Sequence, residues 1–264
     1  MKPPPFEYAA PRSLDDALAA VDEDSRPLAG GQSLIPVLNF RLARPARLVD
    51  LNGVAELGTL RRAGGALRIG AMVRQAALER STMVAEGWPL LAQAVRLVGH
   101  PQTRSRGTVG GSVSHGDPTA ELAVALTALE ARFHVRSLRG VRRLGAGELF
   151  AGPLTTTLEP DELLVEIEVP PLPEGTGSAF VEYASTHGDW AVAGAGIVLA
   201  PGHAAVALLG AGPTPLRATE CEQALLAGAG PGDAAALAGS RVSDDHRRAL
   251  IIELVRRGIE RARA

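Results

Sequence analysis

Two glycine-rich stretches, far apart in the chain, carry the residues best suited to chemistry in this sequence. The first is Ala29-Gly30-Gly31-Gln32-Ser33. Adjacent glycines leave backbone N–H groups unshielded, and a helix beginning at Ser33 would turn its positive end towards an anion there. The Ser33 hydroxyl is a further donor. A plain strand-to-helix turn accounts for the same residues equally well. The stretch has neither the spacing of a GxGxxG dinucleotide loop nor the Gly-Lys-Ser/Thr ending of a Walker A loop.

The second stretch runs from Arg104 to Pro118, RSRGTVGGSVSHGDP. Gly107, Gly110 and Gly111 form a loop able to lie flat against a diphosphate, with Thr108 and Ser112 as hydroxyl donors. A simple turn needs only one or two glycines, so anion binding explains this stretch better. Two such loops suit a ligand with two phosphates held from both sides, provided the fold brings them together.

Other reactive side chains invite plainer readings. His115 and Asp117 could form a dyad, but general acid–base work needs a defined proton and a substrate pose, and structuring the loop suffices. Arg104 and Arg106 could neutralise phosphates, face solvent or meet a partner chain. His100 precedes Pro101 and is expected in extended backbone. The six histidines show no HxH or HExxH spacing, so no metal site is expected. No GxSxG nucleophile elbow occurs. Arg61-Arg62, Arg142-Arg143 and Arg256-Arg257 read as solvated faces. Cys221, in an apolar helical stretch, reads as a small core residue.

Composition narrows the class further. A net charge of −2 with scattered arginines, and only 3% aromatics, argues against nucleic-acid binding. The single cysteine cannot form an internal disulfide, nor supply the roughly four ligands of an iron–sulfur cluster. No segment reaches the ~18 apolar residues of a membrane span. MKPPPFEYAAP lacks the apolar run of a signal peptide, so a cytoplasmic location is expected.

These loops need elements to position them. Ser13-Leu14-Asp15-Asp16 resembles a capping-box start, and LDDALAAV continues as a short amphipathic helix. SLIPVLNFRL follows the first glycine loop, and its Pro36 fits only the first turn of a helix. Residues 46–51 and 66–73 read as strands, with a turn at Gly64-Gly65 between them. Trp88 to Val98 has helical spacing, 99–118 reads as a loop, and an apolar helix follows from about Thr119 to Leu129. Residues 131–136 and 162–170 read as strands. PPLPEGTGS at 170–178 is the best linker. Beyond it come three strand-like runs and then helices, the pattern of a small α+β domain. In the longest helix, near 243–263, Leu250, Ile251, Leu254 and Val255 share one face, with Ile259 towards its edge.

Taken in order, AGGQSLIPVLNFRLARPARLVDL, IGAMVRQAAL, GHPQTRSRGTVGGSVSHGDPTAEL and EPDELLVEIEVP resemble the medium subunit of carbon monoxide dehydrogenase-type molybdenum hydroxylases. The FAD domain of xanthine dehydrogenase is similar, and the likeness covers essentially the whole chain. FVEYASTHGDWAVAG resembles the opening of the family's C-terminal flavoprotein domain. The resemblance implies an α+β fold: a vanillyl-alcohol-oxidase (PCMH)-type FAD-binding domain over 1–172, with subdomains of about 1–55 and 56–172. A small C-terminal α+β domain over 176–264 would follow, with a three-stranded antiparallel sheet plus helices.

The resemblance also implies where FAD sits. Its pyrophosphate would be held by Pro27, Leu28, Ala29, Gly30, Gly31, Gln32, Ser33 and Leu34, and by Thr108, Val109, Gly110, Gly111 and Ser112. Val98 would lie near the flavin ring, Trp190 would pack close to it, and Leu164 would offer a backbone contact to the adenine part. Glu121 stands where relatives usually carry an Asp bonded to the ribose or adjoining groups. Some relatives carry a Lys or Arg that reaches the flavin from 181–186, whereas this chain has Val-Glu-Tyr-Ala-Ser-Thr there.

The implied partners are a molybdopterin-binding large subunit and a 2Fe–2S small subunit, assembled as a dimer of heterotrimers. Electrons would pass from the clusters through FAD to an external acceptor, and this chain would contribute no catalytic residue. A stand-alone flavin oxidoreductase and a flavin-less binding or assembly module are the competing readings.

Overall fold

The computed structural model describes residues 2–186 and 188–264. The chain opens with β1 (Glu7–Ala9), α1 (Leu14–Ala20), β2 (Ser25–Leu28), α2 (Leu34–Asn39) and β3 (Arg47–Asp50). β1 and β2 both pair in parallel with β3, giving the order β1-β3-β2. Ser13 caps α1 by accepting the Asp16 N–H at 3.1 Å. Leu14, Ala17 and Leu18 of α1 then pack with Val49, Leu51 and Val54 in a small core.

After two short 3-10 turns, β4 (Leu60–Ala63) and β5 (Ala66–Gly70) form a hairpin. Its two-residue turn needs left-handed backbone twice, which Gly64 (φ 58°) and Gly65 (φ 82°) supply. Helices α3 (Gln75–Glu79), α4 (Thr82–Gly87), α5 (Pro89–Leu97), α6 (Pro101–Arg106), α7 (Val109–His115) and α8 (Glu121–Ala128) follow. The expected 99–118 loop is therefore largely helical. Pro101 sits in the first turn of α6, where its missing N–H costs nothing. Every residue of α8 is buried, so it runs through the core.

The chain returns through β6 (Arg132–Ser137), β7 (Gly140–Leu144), α9 (Ala146–Leu149), the hairpin of β8 (Phe150–Gly152) and β9 (Thr155–Thr156), and β10 (Leu163–Val169). These complete an antiparallel sheet of order β4-β5-β10-β6-β7. Trp88 is fully buried beside this layer, and its indole N–H donates to the Pro170 carbonyl at 2.7 Å.

The last part comprises β11 (Gly177–Ala184), β12 (Ala191–Ala200), β13 (His203–Leu209), β14 (Leu216–Arg217), α10 (Thr219–Leu226), α11 (Pro231–Gly239) and α12 (Asp245–Arg263). The sheet has four antiparallel strands rather than three, because β14 adds a two-residue edge opposite Ala207 and Leu208. One face packs on α10, α11 and α12. The other faces α5 and α8, with Gly196 close to Leu90 and Ala128. In α12, Ile251, Val255 and Ile259 are fully buried while Leu250 is only partly so. Ile259 thus belongs to the centre of the stripe and Leu250 to its edge.

Candidate functional site

The first glycine loop joins the end of β2 to the start of α2. Gly31 takes a left-handed conformation (φ 73°), which turns the chain sharply before the helix. The N–H groups of Gly30, Gly31, Gln32 and Ser33 have no acceptor among the described residues. The first amide to donate into the helix is that of Ile35, to Gly31 O at 3.1 Å. Four successive free donors on a glycine-lined bend form an anion cradle. Pro27 and Leu28 are half-buried on β2, and Leu28 supports Gly31 from below.

The second loop is built differently. Thr108 caps α7, its hydroxyl accepting the Gly111 N–H at 3.0 Å. The Val109 and Gly110 amides donate to Val73 O and Ala71 O, each at 2.9 Å. Three amides of this loop therefore already have acceptors. Its half-buried outer edge is Gly111 and Ser112, whose hydroxyl is the donor that remains.

The fold brings the two loops into direct contact. A Cβ on Gly30 would stand 2.4 Å from Arg106 O and 2.8 Å from the Gly107 Cα. A Cβ on Gly111 would meet the Ala29 Cβ at 3.4 Å. Glycine at position 30 is thus what lets the two backbones touch.

Side chains that the sequence did not single out bridge the loops. Asn52 donates from Nδ2 to Ala29 O at 3.0 Å. Arg74 donates from Nη2 to Asn52 Oδ1 and from Nη1 to Arg106 O. Asp50 accepts from the Asn52 amide and side chain and from the Tyr8 hydroxyl. Burial works against the charge on Asp50, yet the bonds from Tyr8 and Asn52 hold its carboxyl below the usual range. Burial, then the neighbouring Arg106 guanidinium, pull Arg74 below the ordinary arginine value. No spacing rule links Asn52 and Arg74 to the glycine loops, so only the fold reveals them.

A second contact lies close in sequence to Val98 and Trp190. Val98 ends α5 half-buried, and His100 follows in the extended backbone expected before a proline. A Cβ on Gly188 would lie 2.6 Å from the His100 ring, so Gly188 is seated against His100. Trp190, two residues after Gly188 in the chain, stands 77% exposed. Leu164 is buried on β10, next to Val165, whose carbonyl accepts the Ala71 amide at 3.0 Å. Because Ala71 O in turn accepts from Gly110, the backbone of β10 backs the second loop.

Glu121 opens α8 at only 8% exposure. Burial raises its carboxyl to about 8, with Glu182 and Asp117 adding to the effect. Burial likewise raises Glu182 to about 7, and its Oε2 has no hydrogen-bond partner among the described residues.

Two arginines part company. Arg104 forms a two-pronged ion pair with Glu79 at 2.9 and 3.0 Å and donates to the Val98 and Gly99 carbonyls. With only 8% of its side chain exposed, it locks α3 to α6 and is neither a phosphate ligand nor a surface group. Arg106 is exposed. Asp117 structures its loop, accepting the Thr119 amide and hydroxyl at 2.8 and 2.7 Å. Cys221 is fully buried in the C-terminal core. Among the described residues no group of His, Cys, Asp and Glu could hold a metal, and no helix is long and apolar enough to cross a membrane.

Comparison with known proteins identifies the family. Residues 4–172 match the family described as FAD binding domain in molybdopterin dehydrogenase. The alpha subunit of the 6-hydroxypseudooxynicotine dehydrogenase complex of Paenarthrobacter nicotinovorans is 40% identical over 235 residues, 86% of this chain and 79% of that protein. The carbon monoxide dehydrogenase medium chain of Hydrogenophaga pseudoflava is 40% identical over 225 residues, 82% of this chain and 78% of that one. A solved carbon monoxide dehydrogenase structure from the same organism superposes with a TM-score of 0.93 at 37% identity, covering 99% of this chain and 98% of that one. The chain belongs to the FAD-binding, medium-subunit family of the molybdopterin dehydrogenases.

Proposed function

We propose that this chain is the electron-transfer subunit of a cytoplasmic molybdenum hydroxylase, built as a dimer of heterotrimers. In this reading a large subunit carries the molybdopterin and performs the substrate chemistry. A small subunit carries the 2Fe–2S clusters, and this chain passes their electrons to an external acceptor. FAD supplies the redox chemistry that the side chains themselves lack. The single cysteine fits this division of labour, since the clusters must lie elsewhere.

The observation that carries the reading is the contact of two glycine loops that are remote in sequence. The free amides at Gly30, Gly31, Gln32 and Ser33 would bind the diphosphate from one side. The Ser112 hydroxyl and the glycine edge at Gly110-Gly111 would meet it from the other. Val98 and Trp190 would flank the ring and exclude water from it. Leu164 would present backbone towards the adenine side. Glu121, protonated at neutral pH with its carboxyl at about 8, would donate a hydrogen bond to a ribose oxygen where an ionised Asp could only accept. We read the fold as the vanillyl-alcohol-oxidase type, with the domain boundary in the 170–178 linker.

Purification tests this directly. The expected product is a yellow protein that releases FAD on denaturation and associates with two further chains. A colourless chain that cannot be reconstituted with FAD would overturn the reading.

A further inference from the structure

We infer that Arg74 is the clasp of the cofactor site, fixing the spacing of the two glycine loops while presenting a positive charge to the diphosphate between them. The inference rests on the reading of FAD given above. Its basis is one point of convergence. The Arg106 carbonyl that accepts from Arg74 Nη1 is the atom that a Cβ on Gly30 would strike at 2.4 Å. The guanidinium therefore lies at the seam where the loops meet. Its other arm reaches Asn52, which holds Ala29 O at 3.0 Å. One planar group thus spans both loops, through a fork geometry that a lysine ammonium cannot reproduce.

Charge points the same way. Arg74 and the exposed Arg106 bring two guanidiniums near each other. The carboxylate closest to them in this network, Asp50, is already engaged by Tyr8 and Asn52. Neither arginine forms an ion pair among the described residues. Asp50 offsets only part of this charge, and two guanidiniums beside the seam of the glycine loops suit a dianionic ligand.

The test is a titration of the full apo chain with FAD, followed by flavin fluorescence, at several salt concentrations. Arg74→Met should weaken FAD binding about tenfold or more, the scale of a lost charged hydrogen bond. It should also flatten the dependence of affinity on ionic strength, because one screened attraction is gone. Arg74→Lys should keep that salt dependence and regain part of the affinity. Thermal melts of the three apo proteins establish that each is folded. An Arg74→Met chain that binds FAD as tightly as wild type overturns the inference while leaving the flavin reading standing. So does a weakened variant with unchanged salt dependence that lysine fails to improve, since that assigns Arg74 to packing alone. A wild-type chain that takes up no FAD instead overturns the underlying reading.

Discussion

Glu121 and Glu182 carry their protons to unusually high pH, and that has a consequence at the residue scale. Ordinary carboxyls titrate near 4.5, whereas burial holds these two at about 8 and about 7. Between those limits the folded chain keeps protons that the unfolded chain has released. Stability therefore falls as pH rises through this window and levels off above the folded values. Each group contributes at most about 1.4 kcal/mol per pH unit. Glu121→Gln removes the larger part of this penalty. Thermal melts should show the wild-type apo chain losing roughly 3 °C or more between about pH 6 and about pH 9, with a smaller loss in the variant. Equal losses in both would refute the assignment. At this scale the sequence was readable where a residue type has one physical use, as with the glycines at 30, 31, 110 and 111. It was silent on Arg74 and Asn52 and offered Arg104 roles other than its ion pair with Glu79, because these roles depend on partners brought near by folding. A polar side chain advertises what it can bond, not what it will meet.

Among the elements, α12 depends on a close fit to the C-terminal sheet. A Cβ on Gly258 would stand 2.2 Å from Ile197 Cδ1, so helix and strand approach through a missing side chain. Gly258→Ala should cost about 1–3 kcal/mol by overpacking. Ile197→Val, which deletes that methyl, should cost about 0.5–1.5 kcal/mol alone. Combined, the two should cost less than their sum, because the shortened strand residue makes room for the new methyl. Urea denaturation of the four proteins measures the coupling, and strict additivity would contradict this packing. Elements with a clear apolar signal, such as β10 and the continuously apolar α8, were legible close to their bounds. The helices α6 and α7 were not, because α6 carries only Pro and polar residues with no apolar face, and α7 is mostly Gly and Ser. There, local caps at Pro101 and Thr108 and bonds to 71–73 override propensity. The two-residue β14 gives no periodic signal, and only its pairing with β13 defines it.

For the whole molecule, the decisive fact is that 29–33 and 104–112 share one seam although β3, β4, β5 and the four helices α2 to α5 separate them in the chain. No local pattern foretells that contact; the ordered family resemblance did, and the fold supplies its geometry. The parallel sheet delivers the first loop, while β10 and the 71–73 backbone deliver the second. A crystal structure of the chain with FAD tests this most directly. Our reading predicts diphosphate oxygens within hydrogen-bond reach of the Gly30 to Ser33 amides, with Ser112 on the opposite side and the Arg74 guanidinium at the seam. A diphosphate bound elsewhere, with those amides facing solvent, would contradict it.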